Sequence, residues 1–163
     1  MSQVEQILGK VQVCADLWNN PKGLQTLGSL LVSRHYRKGV AILVEGELGS
    51  EFFILTKGKA RVWKLTSDSE AYGVTILQGE ATPSFGEGAL MGNEPRSASI
   101  TAEDDCECLV LDRSNFEKFG NEHPEWALPM SIRIGRNILE RLRKANTDLT
   151  CLYKALVDEI RGR

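Results

Sequence analysis

Apolar residues recur at helical steps near both ends of the chain and fall into short, glycine-broken runs between them. Val4, Ile7, Leu8, Val11 and Leu17 predict a helix from residue 3 to about 18. Asn19-Asn20-Pro21 breaks it, and Pro21 suits the first turn of a second helix, marked by Leu24, Leu27, Leu30 and Leu31 and ending near Ser33. From Arg34 the texture changes. Ala41 to Val44, Phe52 to Leu55, Ala60 to Leu65 and Val74 to Leu77 are short apolar or alternating runs, with glycines between them. Ala98 to Thr101 and Cys106 to Leu111 follow, on either side of Glu103-Asp104-Asp105. Short strands at such spacing predict an antiparallel sandwich or roll.

The last third returns to helical spacing. Ser114 with Glu117 three residues on is a capping-box pattern, predicting a short helix that ends at Gly120. Pro124 opens the next helix, and Pro129 predicts a kink or a restart. From about Met130 the pattern is one long helix. Gly135, Ile138, Leu142, Ala145, Leu149, Leu152 and Leu156 alternate steps of three and four, which is a heptad seam. After Ala145 this predicts a homodimer through the C-terminal helix, the alternative being packing on the chain's own strands. Arg133, Arg136, Arg141, Arg143 and Lys144 read as a solvated basic face. No linker divides the chain, so it reads as one domain over 1–163: N-terminal helices in 1–33, strands in 34–112, helices in 113–163.

Composition narrows the function classes. The 163 residues are 42% hydrophobic and 26% charged, with formal charge −2, so no basic excess points to nucleic acid. No apolar run nears the roughly 20 residues that span a bilayer, and Met1 to Glu5 lacks a secretory pattern. Cys14, Cys106, Cys108 and Cys151 show no metal-ligand spacing with His35 or His123; the pair Cys106 and Cys108 reads as small apolar core residues in a reducing cytoplasm. No metal, no cofactor and no enzymatic constellation is predicted: no nucleophile–base pair, and no G-x-x-x-x-G-K-[ST] loop.

The chemistry gathers in Phe85-Gly86-Glu87-Gly88-Ala89-Leu90-Met91-Gly92-Asn93-Glu94-Pro95-Arg96-Ser97-Ala98-Ser99. A glycine turn leads into a short helix start, whose free N–H groups attract anions. Small residues such as Gly88 and Ala89 admit a phosphate. Arg96 offers a forked, charge-assisted grip, and Glu87 can accept from a sugar hydroxyl.

This string, F-G-E-G-A-L then P-R-S-A, resembles the phosphate-binding cassette of the cyclic nucleotide-binding domain family. The glycine layout around Gly39 to Gly46 and Gly49 to Gly58 extends the resemblance to about residues 24–145. It implies an α+β, mainly β fold: an eight-stranded antiparallel β-roll of jelly-roll type, with N-terminal helices and a long C-terminal helix. The link from Gly79 to Phe85 is longer than the family's usual one. The resemblance also implies a regulatory domain for a cyclic nucleotide, cAMP in preference to cGMP. Ser97 after the arginine matches the serine of a cAMP-using member, while its hydroxyl could contact either phosphate or guanine, as a threonine there does in cGMP-dependent members. Its implied contacts are Arg96 with the N–H groups of Ala89 and Leu90 for phosphate, and Glu87 with the N–H of Gly86 for ribose. Gly88, Leu90, Ser97 and Ala98 complete the cassette, and Val74, Ile76, Asn146 and Thr147 are candidates for the base. Capture would push Leu90 and Met91 against a hinge near Phe116 and Phe119, and so swing the C-terminal helix. The alternatives are a cGMP-selective sensor and a nucleotide-free dimerising scaffold.

Overall fold

The computed structural model describes residues 2–162. Helix α1, Gln3–Leu8, is capped by the Ser2 hydroxyl, which accepts from the Glu5 N–H. The single N-terminal helix expected from periodicity is two pieces. Gly9 ends α1, Val11 is extended, and Gln12–Leu17 forms a tighter 3-10 segment. Val13 explains the break: it is buried beside Leu8, Val11, Cys14 and Leu17, and one straight helix cannot turn all five inward. Helix α2, Pro21–Gly28, starts at the proline as predicted and stops short of Ser33. The chain instead enters a polar strand.

Among the described residues eight antiparallel strands make two four-stranded sheets. They are β1 Val32–Tyr36, β2 Ala41–Leu43, β3 Glu51–Lys57, β4 Lys59–Leu65, β5 Ala71–Gln78, β6 Ser84–Phe85, β7 Ser99–Ala102 and β8 Cys106–Asp112. One sheet has the order β1-β8-β3-β6, the other β2-β7-β4-β5. Strand β3 lies inside the first sheet and is buried on both faces, which is why Phe52 to Leu55 reads as an unbroken apolar run. Successive side chains alternate. Phe52 and Ile54 pack against the helices with Leu8, Val11, Leu111, Phe119, Met130 and Ile134. Phe53 and Leu55 fill the space between the sheets with Ala60, Phe85, Ile100, Cys108 and Val110. Two strands escaped the periodicity. β1 is an exposed edge without alternation, and β6 has only two residues. The long link at Gly79 makes one helical turn and crosses from the second sheet to the first, where Phe85 pairs with Phe53.

Helix α3, Gly88–Met91, belongs to the cassette. Helix α4 is Arg113–Glu122. Its cap is Asp112, whose side chain accepts from the Ser114 N–H, so Ser114 lies inside the helix and the capping-box reading was two residues late. Gly120 does not end α4; it is an interior residue, and a Cβ there would meet Ala127 at 3.7 Å. Helix α5, Pro124–Arg161, runs for 38 residues straight through Pro129. Its first half is seated by Ala127, Met130 and Ile134, and by Arg133, which pairs with Asp16 in two bonds of 2.9 and 3.0 Å. Beyond Ile138 it leaves the body: Leu142, Leu149, Leu152 and Leu156 are 54% to 69% exposed, so the chain's own strands do not cover the seam. Among the described residues no helix is long and apolar enough to cross a membrane.

Candidate functional site

The cassette closes the end of the roll. Phe85 anchors it, stacked on Phe53 at 5.3 Å between ring centroids. Gly86 then turns with φ of +79°, and a Cβ there would stand 2.9 Å from both an Arg96 guanidinium nitrogen and the Glu51 carbonyl oxygen. Only glycine meets both demands. A Cβ at Gly88 would meet nothing within 4 Å, so the space over the start of α3 is open. The Ala89 and Leu90 N–H groups donate back to the Gly86 and Glu87 carbonyls, at 3.1 and 3.0 Å. The two N–H groups expected to face the ligand are therefore engaged within the turn.

Arg96 is held from its backbone. Its N–H donates to the Glu47 carbonyl and its own carbonyl accepts from Gly46, both at 2.9 Å. The side chain is 8% exposed. It lies over the Phe53 ring at 5.8 Å, and one nitrogen reaches the Gly86 carbonyl at 3.5 Å. Among the described residues it forms no ion pair. Burial pushes its pKa below the usual arginine value; the Glu51 charge raises it and the Arg113 charge lowers it further. A desolvated cation without a carboxylate favours an incoming anion. Room for the guanidinium itself comes from Gly49, where a Cβ would sit 2.5 Å from it.

Glu87 is 3% exposed and does not pair with Arg96. Its two oxygens accept from Arg141 of α5, at 2.8 and 3.1 Å, and the Ser84 hydroxyl lies 3.5 Å away. The acid and the guanidinium nine places apart are thus brought to one loop with separate surroundings. Arg141 was placed on a solvated face. The available signal was its phase: it lies one heptad after buried Ile134, on the stripe of Ala127 and Met130. Ser97 is exposed and Ala98 half-buried beside the arginine.

Four candidates for the base stand elsewhere. On β5, Leu77 pairs with buried Ala60 and packs between the sheets, whereas Ile76 pairs with Arg61 on the outside. Ile76 and Val74, taken from the resemblance, are 49% and 53% exposed, and a bulge near Val62 and Trp63 shifts the alternation along the strand. On α5, Asn146 and Thr147 are exposed. At about 100° per residue they stand roughly 120–140° round the helix from Arg141. The Thr147 hydroxyl donates to the Arg143 carbonyl. Residues 144, 145 and 148 share the Arg141 side. A surface depression on the second sheet, lined by Arg61, Trp63, Tyr72, Thr101 and Glu103, includes none of the predicted residues. Among the described residues no group of three or more His, Cys, Asp or Glu is placed to hold a metal ion.

Comparison with known proteins agrees with this geometry. The profile described as "Cyclic nucleotide-binding domain" matches residues 33–123. Human cGMP-dependent protein kinase 2 is 46% identical over 87 residues, which is 52% of this chain and 11% of that protein. The chain thus spans about a tenth of that relative. The Thermus thermophilus catabolite activator protein superposes with a TM-score of 0.72 at 26% identity, over 82% of this chain and 60% of that one. The regulatory domain of Toxoplasma gondii PKA with cAMP gives 0.71 at 23% identity, over 84% and 49%, a likeness of fold.

Proposed function

The chain belongs to the cyclic nucleotide-binding domain family, and on that premise we propose that residues 1–163 act as one regulatory module that captures a cyclic nucleoside monophosphate at the cassette. The single observation that carries this reading is Arg96: a buried guanidinium that, among the described residues, has no carboxylate partner and faces the Gly86 turn of the cassette. Arg96 takes the ring phosphate. Glu87 accepts from the ribose hydroxyl, and the Gly86 to Leu90 backbone frames both, with Ser97 and Ala98 at the rim. The base then lies toward the inner side of β4 and β5, where Val62 and Leu77 present apolar surface.

The module senses and does not catalyse. Arg141 makes α5 part of the ribose site, because the carboxylate that would hold the sugar already holds the helix. A ligand shifts α5 only by binding one helix arrangement better than another. Competition or sharing at Glu87 supplies that difference. Of the two ligands we favour cAMP on Ser97, with cGMP the alternative, since relatives of both kinds match the chain. The exposed leucine stripe on α5 supports a homodimer, and a dimerising scaffold without nucleotide is the second reading. The four unpaired thiols favour a cytoplasmic setting.

Calorimetric titration of the chain with cAMP and with cGMP tests the reading. One of them binds, and Arg96→Ala weakens it by roughly 30-fold to several thousand-fold, as loss of one partner from a buried charged contact does. Binding that Arg96→Ala leaves unchanged overturns the site. No binding of either nucleotide favours the scaffold.

A further inference from the structure

Arg113 is the first residue of α4, yet its side chain ends on backbone carbonyls behind the cassette helix. Nε donates to the Ala89 carbonyl at 2.5 Å and one terminal nitrogen to the Gly92 carbonyl at 2.7 Å. The same nitrogen lies 3.4 Å from the Gly49 carbonyl, and the other meets the Asn93 side-chain oxygen. Ala89 and Gly92 bracket the end of α3, where helical carbonyls lack partners and a cation is favoured. One guanidinium thus caps the cassette helix while its own backbone begins the next helix. That backbone is tied as well: the Arg113 N–H donates to the Ser50 carbonyl at 2.8 Å. Its neighbour Asp112 uses one oxygen on the Ser50 hydroxyl at 2.6 Å and the other on the α4 start.

We propose that Arg113 is the positioning residue that couples the cassette to the C-terminal helices, carrying a displacement of α3 and of the Gly49–Ser50 turn into α4 and from there into α5. Three of its four acceptors are backbone carbonyls, so a rotamer change in the cassette cannot release it. Gly49 is the shared point: its carbonyl accepts from Arg113, and a Cβ added to it would strike the Arg96 guanidinium. A phosphate pulling on Arg96 therefore acts on the same turn that Arg113 grips. The far end is packed too, Gly120 of α4 lying against Ala127 of α5. Arg113 itself does not touch the nucleotide.

This rests on the capture of a cyclic nucleotide proposed above, and the experiment separates the two. Hydrogen exchange of residues 124–161 is measured without nucleotide and at saturating cAMP or cGMP, in the wild type, Arg113→Gln and Arg113→Lys. The wild type binds nucleotide and shows a nucleotide-dependent change in α5; absence of binding sinks the capture reading, whereas binding with no change in α5 overturns the coupling. Arg113→Gln keeps nucleotide affinity within about tenfold but loses more than half of the α5 change at saturation. Arg113→Lys, a point charge in place of a fork, restores less than half of it. A residue that only stabilises the fold lowers the melting temperature and leaves the α5 response at saturation intact. That outcome, or full rescue by lysine, overturns the proposal. Should Arg113→Gln fail to fold, Asn93→Ala removes one acceptor and gives a smaller loss of response in the same direction; an undiminished response there overturns it equally.

Discussion

Arg96 shows how a small residue elsewhere makes a binding cation usable. Its backbone is fixed by Gly46 and Glu47, and its guanidinium fits because Gly49 has no side chain. Gly49 does not adopt a positive φ, so alanine there brings no backbone strain. The added methyl would lie 2.5 Å from the guanidinium, which must move. Gly49→Ala should therefore weaken nucleotide binding by at least about tenfold while shifting the unfolding midpoint little, because the displaced group is the far end of a flexible side chain. Calorimetry beside a thermal melt checks this, and affinity equal to the wild type's would show that the guanidinium position is not set by Gly49. Glu87 and Arg96 were legible in the sequence because both lie in one short string. Arg141 was not, since its bond to Glu87 joins residues 54 apart and rests on the phase of a helix whose seat only the fold defines.

At the scale of elements, the apolar patterns located strands and helices well where one face is buried, and poorly where burial is absent or doubled. β5 is exposed along nearly its whole length, so its sequence does not say which face is inner, and Val74 and Ile76, taken from the resemblance, are exposed. The start of α4 was misplaced because two oxygen-bearing residues compete for the cap. Asp112 wins with a geometry that Ser114 supports: the Ser114 N–H and hydroxyl donate to one carboxylate oxygen at 2.8 and 2.7 Å. Hydrogen bonds from Ser50 first, then from Ser114, hold the Asp112 pKa below the usual 3.8. A carboxylate whose folded pKa is depressed stabilises the fold above its unfolded value. That stability is lost as pH falls through the folded value. Asp112→Ala should thus lower stability by about 0.5–2 kcal/mol at neutral pH, as loss of a helix cap does. The gap to the wild type closes as the pH drops below 3.8 toward the lower folded value. Urea titrations at successive pH values read both; a gap that stays constant into acid would mean the charged cap contributes nothing.

For the whole molecule, α5 belongs to two environments, and the boundary falls near Ile138. Up to Ile134 it is core, sealed by Met130 and by the Arg133–Asp16 pair. After Arg141 it carries Leu142, Leu149, Leu152 and Leu156 in open solvent at heptad spacing. Burying a leucine gains about 1.5–3 kcal/mol. Four from each of two chains work against the roughly 4–15 kcal/mol that association costs in lost freedom. Midway through both ranges the surplus is about 8 kcal/mol, which corresponds to a dimer of about micromolar strength. Arg141 sits at the root of the stripe, so pairing would also restrain the helix that grips Glu87. The wild type should sediment as a dimer at micromolar concentration, with a melting temperature that rises with protein concentration. Leu149→Asp with Leu152→Asp places four like charges in the seam and should leave a monomer, since burying unpaired carboxylates costs more than the remaining leucines return. Because these residues touch neither sheet nor cassette, the monomeric variant keeps the fold of the roll, which circular dichroism reads. A wild-type chain that sediments as a monomer at about 100 µM, roughly a hundred times that strength, would assign the stripe to some other partner.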